Sequence, residues 1–279
     1  MSLTSFLGDE KRARILIDQT FERPSLEQTP PRRAEPQTSN YALIGTAFDY
    51  ILRFWLEREY PGTESQPWVA HQGLSLAETV DMDTTVPDTV SLGDRMETIE
   101  QAHQAYLDTG ELTDELLAGT LDLARFDWIY RSGSPPEDLG KAADGDITDL
   151  RQLYDTIPAE EFRGAERVLL NPTFGSASRL VNGADADLIL DDSLIDIKTV
   201  KDYTIKPDYW RQLVGYAVLA DLASDELDSM SEFSTVGLYF ARHGVLWQTP
   251  AAEIYGHEKY DQFKSWFQEM AEKHFSPSV

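Results

Sequence analysis

The chain of 279 residues and 31.5 kDa is long enough for one large domain or two small ones, and its 41% hydrophobic content excludes a wholly disordered chain. Its 49 acidic residues face 24 basic ones, a net charge of −25 that argues against non-specific adhesion to nucleic acid or anionic membrane. With no cysteine, disulfides, thiolate zinc sites, a cysteine nucleophile and a cysteine-held iron–sulfur cluster are all excluded.

In chain order, a short helix is expected around Glu10–Gln19. Residues 22–40 hold four prolines and few apolar side chains, so residues 1–40 read as a mobile N-terminal arm. Apolar residues at Ile44, Phe48, Ile51, Leu52 and Trp55 predict a helix over 41–59, closed by Pro61. Residues 61–91 read mostly as loop, and helices follow near 93–107, 113–130 and 147–156. From there the texture becomes β-like, at 167–174, 178–190 and 194–200, with turn chemistry at Asp191-Asp192-Ser193. A helix over 208–222 begins at Lys206-Pro207-Asp208, with Asp208 as its expected cap. A hairpin around His243-Gly244 and a final helix over 257–273 complete the chain. The expected architecture is α/β (α+β), a small mixed sheet flanked by helices, with a helical insertion over about 62–160 of a single domain spanning 41–279.

The chemistry concentrates in GADADLILDDSLIDIKTV, residues 183–200. Side chains alternate along a strand, so Asp185 and Asp187 share one face, and Asp196 and Lys198 share a face of the next strand. Pairing the strands gathers carboxylates and one ammonium at the end of an otherwise apolar pair. Buried carboxylates need a balancing positive charge. A hard divalent cation, Mg²⁺ or Mn²⁺, supplies it and takes one or two carboxylates plus water and phosphate oxygens. Alternation alone does not choose between Asp185 and Asp187.

This string resembles the PD-(D/E)XK nuclease superfamily, with Asp187 as the first acid and Asp196-Ile197-Lys198 as the D-x-K. Gln212-Leu213-Val214-Gly215-Tyr216 resembles the Q-x-x-x-Y helix motif of the RecB-like exonuclease branch. The resemblance implies a restriction-endonuclease-like fold. It also implies that Asp187, Asp196 and the backbone carbonyl of Ile197 hold Mg²⁺ or Mn²⁺, that Lys198 positions the attacking water, and that Gln212 and Tyr216 orient substrate and support the ligands. RecB-like nucleases carry a glycine followed four residues later by a metal-binding histidine. Here Gly45 is followed by Asp49, an oxygen ligand in the histidine's place.

The expected function is metal-dependent hydrolysis of phosphodiester bonds in DNA, with RNA left open. The competing class is a non-catalytic nucleic-acid-binding or scaffold protein on the same fold, and a third is an acidic DNA mimic or protein-binding module. The five histidines show no metal-ligating spacing, and Glu57 and Glu59 read as charges on a helix surface. No apolar run reaches the roughly 18 residues of a membrane span, no signal-peptide core is present, and a cytoplasmic location is expected. Acids spread along the whole chain beside only 8 Lys resemble the surfaces of proteins from salt-loving organisms, where salt screens self-repulsion.

Overall fold

A computed structural model describes residues 3–80, 82, 91–136, 138–162, 164–227, 230 and 233–275. Its centre is an open, mixed sheet of six strands in chain order: β1 (Glu64–Ser65), β2 (Val168–Leu170), β3 (Leu188–Leu190), β4 (Ser193–Lys198), β5 (Thr235–Phe240) and β6 (Val245–Pro250). β2, β3 and β4 form an antiparallel meander, and the β3–β4 pair (Leu188↔Ile195, Leu190↔Ser193) leaves only Asp191-Asp192 in the turn. Asp191 takes a positive φ of 52°, which Asp tolerates better than most residues, and its carboxylate accepts from the Glu166 and Arg167 amides. β5 runs parallel to β4 and therefore needs a crossover, which α10 (Pro207–Ala223) provides.

Alternation splits the strand side chains between two cores. Leu169, Ile189, Leu194, Val236, Leu238 and Phe240 pack with α10, α1 (Leu3–Asp9), α2 (Lys11–Thr20) and α12 (Tyr260–Phe275). On the other side Val168, Leu170, Leu188, Ile195 and Tyr239 meet α3 (Tyr41–Glu59), α6 (Asp114–Ser132) and α7 (Asp144–Asp155). α6 is apolar on two sides. Leu117 and Leu121 join this second core, while Leu116, Leu123, Phe126 and Ile129 build a third with α4 (Val69–Thr79) and α5 (Leu92–Thr109).

Several expectations are corrected. The N-terminal arm is packed: Leu3, Phe6, Ala13, Ile17 and Phe21 are buried in the first core. Residues 22–40 have no helix or strand, but Arg33 and Ala34 donate backbone bonds to Arg242 O, and Ala34 is fully buried. A polar, proline-rich segment lacks periodicity, yet it can still be held through its backbone.

The 61–91 segment contains β1 and α4. α4 lies so close to α6 that a Cβ on Gly73 would sit 1.9 Å from the Phe126 carbonyl oxygen. Residues 81 and 83–90 lie outside the described residues. The strand expected over 178–190 is confined to Leu188–Leu190; a short helix, α9 (Gly175–Leu180), and an isolated Thr173↔Asp185 bridge precede it. Asp208 stands in the first turn of α10 and pairs with Arg211 at 2.6 Å, and the cap position is Lys206. Among the described residues no helix is long and apolar enough to cross a membrane.

Candidate metal and phosphodiester site

The β3–β4 hairpin and two helices bring the predicted residues to one end of the sheet. Asp187, just before β3, accepts a 2.7 Å hydrogen bond from the Ile197 amide through Oδ2. Asp196 and Lys198 share a face of β4, and Lys198 Nζ lies 2.5 Å from Asp196 Oδ2. That ion pair is the one contact of Asp196 Oδ2, which is otherwise buried among the described residues. Lys198 Nζ also donates to Gln212 Oε1 at 3.0 Å, and Gln212 Nε2 donates to the Tyr216 hydroxyl at 2.8 Å. Tyr216 is buried in the first core and stacks on Phe174, so it supports Gln212 and has no open face for substrate.

Asp49 enters from α3 on the other side of the sheet. A Cβ on Gly45 would meet Thr199 Oγ1 at 2.9 Å, so glycine lets the helix close on the end of β4 one turn before Asp49. Asp49 and Asp187 line a shared cleft with Arg53, Asn171, Leu188 and Ile197. Its core leaves about 10 Å³ for a water-sized sphere, room for one water or small cation. Asp185 is exposed outside this cleft, at its bridge to Thr173.

The electrostatics are those of a charge deficit. Burial raises all three carboxyls: Asp49 well above the usual carboxylate range, Asp187 to about 7, and Asp196 by burial that Lys198 only partly offsets. Asp187 and Asp196 add repulsion at Asp49, and Asp196 does so at Asp187. Lys198 shows the converse. Burial would lower its pKa, but Asp196 and Asp187 outweigh that and hold it protonated. Three acids thus lie about one half-buried lysine, with Arg131 acting more weakly at Asp187.

That donor set suits a hard cation. Among the described residues no three His, Asp or Glu side chains stand together as a ready-made cage. Mg²⁺ does not demand one, since it keeps several waters and uses one or two carboxylates with substrate phosphates.

Sequence reasoning missed the other half of the cleft. Arg53, one turn beyond Asp49, is 6% exposed. It donates to Asn171 Oδ1 at 3.0 Å, to Ser65 Oγ and to the Gln66 carbonyl. Asn171 in turn adopts φ 49° and donates its amide to Asp187 O at 3.0 Å. Glu57 is not a surface charge: it accepts from His103 Nε2 at 2.9 Å and from Ser65 Oγ at 2.8 Å, and pairs with Arg53. Arg53 and Glu57 continue the α3 face that begins at Gly45 and Asp49, a four-residue spacing that could have flagged them. Glu59 keeps a half-buried position beside Arg58. Lys201 donates to the Tyr41 hydroxyl, Tyr203 packs on Phe240, and His243 bridges Pro30 O and Lys201 O in a structural role. Comparison of the chain with protein-family models, with curated proteins and with solved structures finds no match.

Proposed function

We propose that this protein is a divalent-metal-dependent nuclease hydrolysing phosphodiester bonds in DNA, on a restriction-endonuclease-like fold of the PD-(D/E)XK type. The observation that carries the reading is the under-neutralised group of acids Asp49, Asp187 and Asp196 about Lys198, with Asp196 Oδ2 buried and paired to Lys198 alone. The strands that bear it lie between α3 and α10, as the resemblance implies. Asp187, Asp196, the Ile197 carbonyl and Asp49 would hold Mg²⁺ or Mn²⁺. When bound, the cation supplies Lewis acidity toward a phosphate oxygen and lowers the pKa of water.

The protein's own groups do the positioning. Lys198, beside Asp196 and Gln212, would orient water and balance charge developing on the phosphate. Its aim depends on Gln212. Because the amide nitrogen donates to Tyr216, the amide oxygen must face Lys198. Tyr216 is thus a positioning residue.

Mn²⁺ calorimetry combined with cleavage of linear, circular, single- and double-stranded substrates tests the reading. The expected result is one saturable heat and Mn²⁺-dependent cleavage, both lost in Asp196→Asn, with cleavage alone lost in Lys198→Ala. Binding without cleavage would favour the non-catalytic reading of the same site. Neither heat nor cleavage would overturn the proposal.

A further inference from the structure

The exposed end of α6 stands apart from the rest of this acidic molecule. Trp128, at 56%, is the most exposed large apolar side chain among the described residues. Arg131 is exposed three residues on, and makes neither an ion pair nor a hydrogen bond with a described residue. Residues three apart are neighbours on a helix surface, so the indole and the guanidinium share one patch. The patch is tied to the helix that carries Asp49. The Tyr50 hydroxyl, next in sequence to Asp49, donates to Asp127 Oδ1 at 2.7 Å and ties α3 to α6 one turn before Arg131. The positive charge of Arg131 is felt at Asp127, Asp185 and Asp187, which places it on the Asp187 side of the molecule.

We infer, resting on the nuclease reading above, that the end of α6 is a landing platform for a single-stranded stretch of the substrate, with an unstacked base on Trp128 and a neighbouring phosphate on Arg131. A chain of net charge −25 cannot hold a polyanion by its general field and needs local contacts. An exposed indole provides stacking energy that is indifferent to charge and sequence. It selects single strands, because a duplex keeps its base faces stacked inside. Arg131 adds the phosphate contact and sets the strand on the side of the cleft that holds Asp187.

Binding of a dye-labelled oligothymidylate, its duplex and an abasic strand of equal length, read by anisotropy with Ca²⁺ in place of Mg²⁺, tests this. Both residues are exposed, so their variants should fold. Trp128→Ala should weaken the oligothymidylate about tenfold and the abasic strand little, while Trp128→Phe keeps most of the affinity. Arg131→Ala should weaken both strands alike and reduce the slope of log affinity against log salt by about one. Wild-type single-strand affinity in both alanine variants, with cleavage intact, would overturn the platform and leave the nuclease reading standing. A wild-type protein that cuts but binds duplex and single strand equally, with no Trp128 dependence, would also overturn it. Loss of wild-type binding together with Mn²⁺-dependent cleavage would remove both.

Discussion

Asp127 shows how a single buried carboxyl sets a pH dependence. It is 6% exposed, accepts from Tyr50, and burial raises it to about 6 from the ordinary 3.8, partly offset by Tyr50, Arg131 and Arg53. A folded-state pKa above the unfolded one favours the fold while the group is protonated. That contribution is complete below about pH 4 and is lost as pH rises through 6. Asp127→Asn keeps an acceptor for Tyr50 without the charge. Urea melts should show the variant more stable than wild type at pH 8, by at most about 3 kcal/mol, with the gap closing by pH 4. A pH-independent difference would contradict the assignment. The two neighbouring aspartates divide similarly: Asp187 lines the cleft and bonds the Ile197 amide, whereas Asp185 is exposed. Calorimetry should find Mn²⁺ binding abolished in Asp187→Ala and retained in Asp185→Ala.

At the scale of elements, the site depends on how closely α3 approaches β4. Gly45→Val would drive two methyls into Thr199, whose Oγ1 already lies 2.9 Å from an added Cβ. Overpacking of this kind costs about 1–3 kcal/mol, and the displaced helix would carry Asp49 away from Asp187. We expect both a lower melting temperature and weaker Mn²⁺ binding; full affinity in the variant would show that Asp49 is not a ligand. A second tie joins α7 to the turn that follows β5, Ala241–His243. Arg242 and Asp149, 1% and 0% exposed, form a two-pronged pair at 2.7 and 3.1 Å, and Arg242 also reaches Ala34 O and Thr199 O. Removing one partner strands a buried charge. Asp149→Ala should destabilise the protein by about 3–5 kcal/mol and loosen residues 30–40, detectable as faster proteolysis there.

The whole molecule carries a net charge of −25 that repels itself and any polyanion. Screening shortens the reach of that repulsion to about 3 Å at 1 M salt. Salt also weakens direct phosphate contacts through lost counterion release. With 24 basic residues against 49 acidic ones, and several arginines already paired, phosphate contacts are few and the first effect should win. Melting temperature and cleavage rate should both rise from about 0.1 M toward molar KCl. A steady decline of both would mean that the acidic surface serves a partner and not a saline solvent.

The sequence by itself determined the periodic elements and which charged residues one hairpin places on a shared face. The α3 stripe is observed at Tyr41–Glu59 as expected from its spacing, and alternation alone put Asp196 and Lys198 on one face of β4. Local rules suffice there because the information lies within one turn or one strand. Tertiary structure decided the rest. The Arg53–Glu57–His103 chain draws on α3 and α5, Asn171 reaches the cleft from beyond β2, and the 22–40 segment is held through backbone amides that carry no sequence signature. Whether Tyr216 met solvent or core was likewise settled by Phe174, which lies far from it in sequence. Residues distant along the chain become neighbours only when the sheet closes its register, and the charge deficit that marks the site exists only once they do.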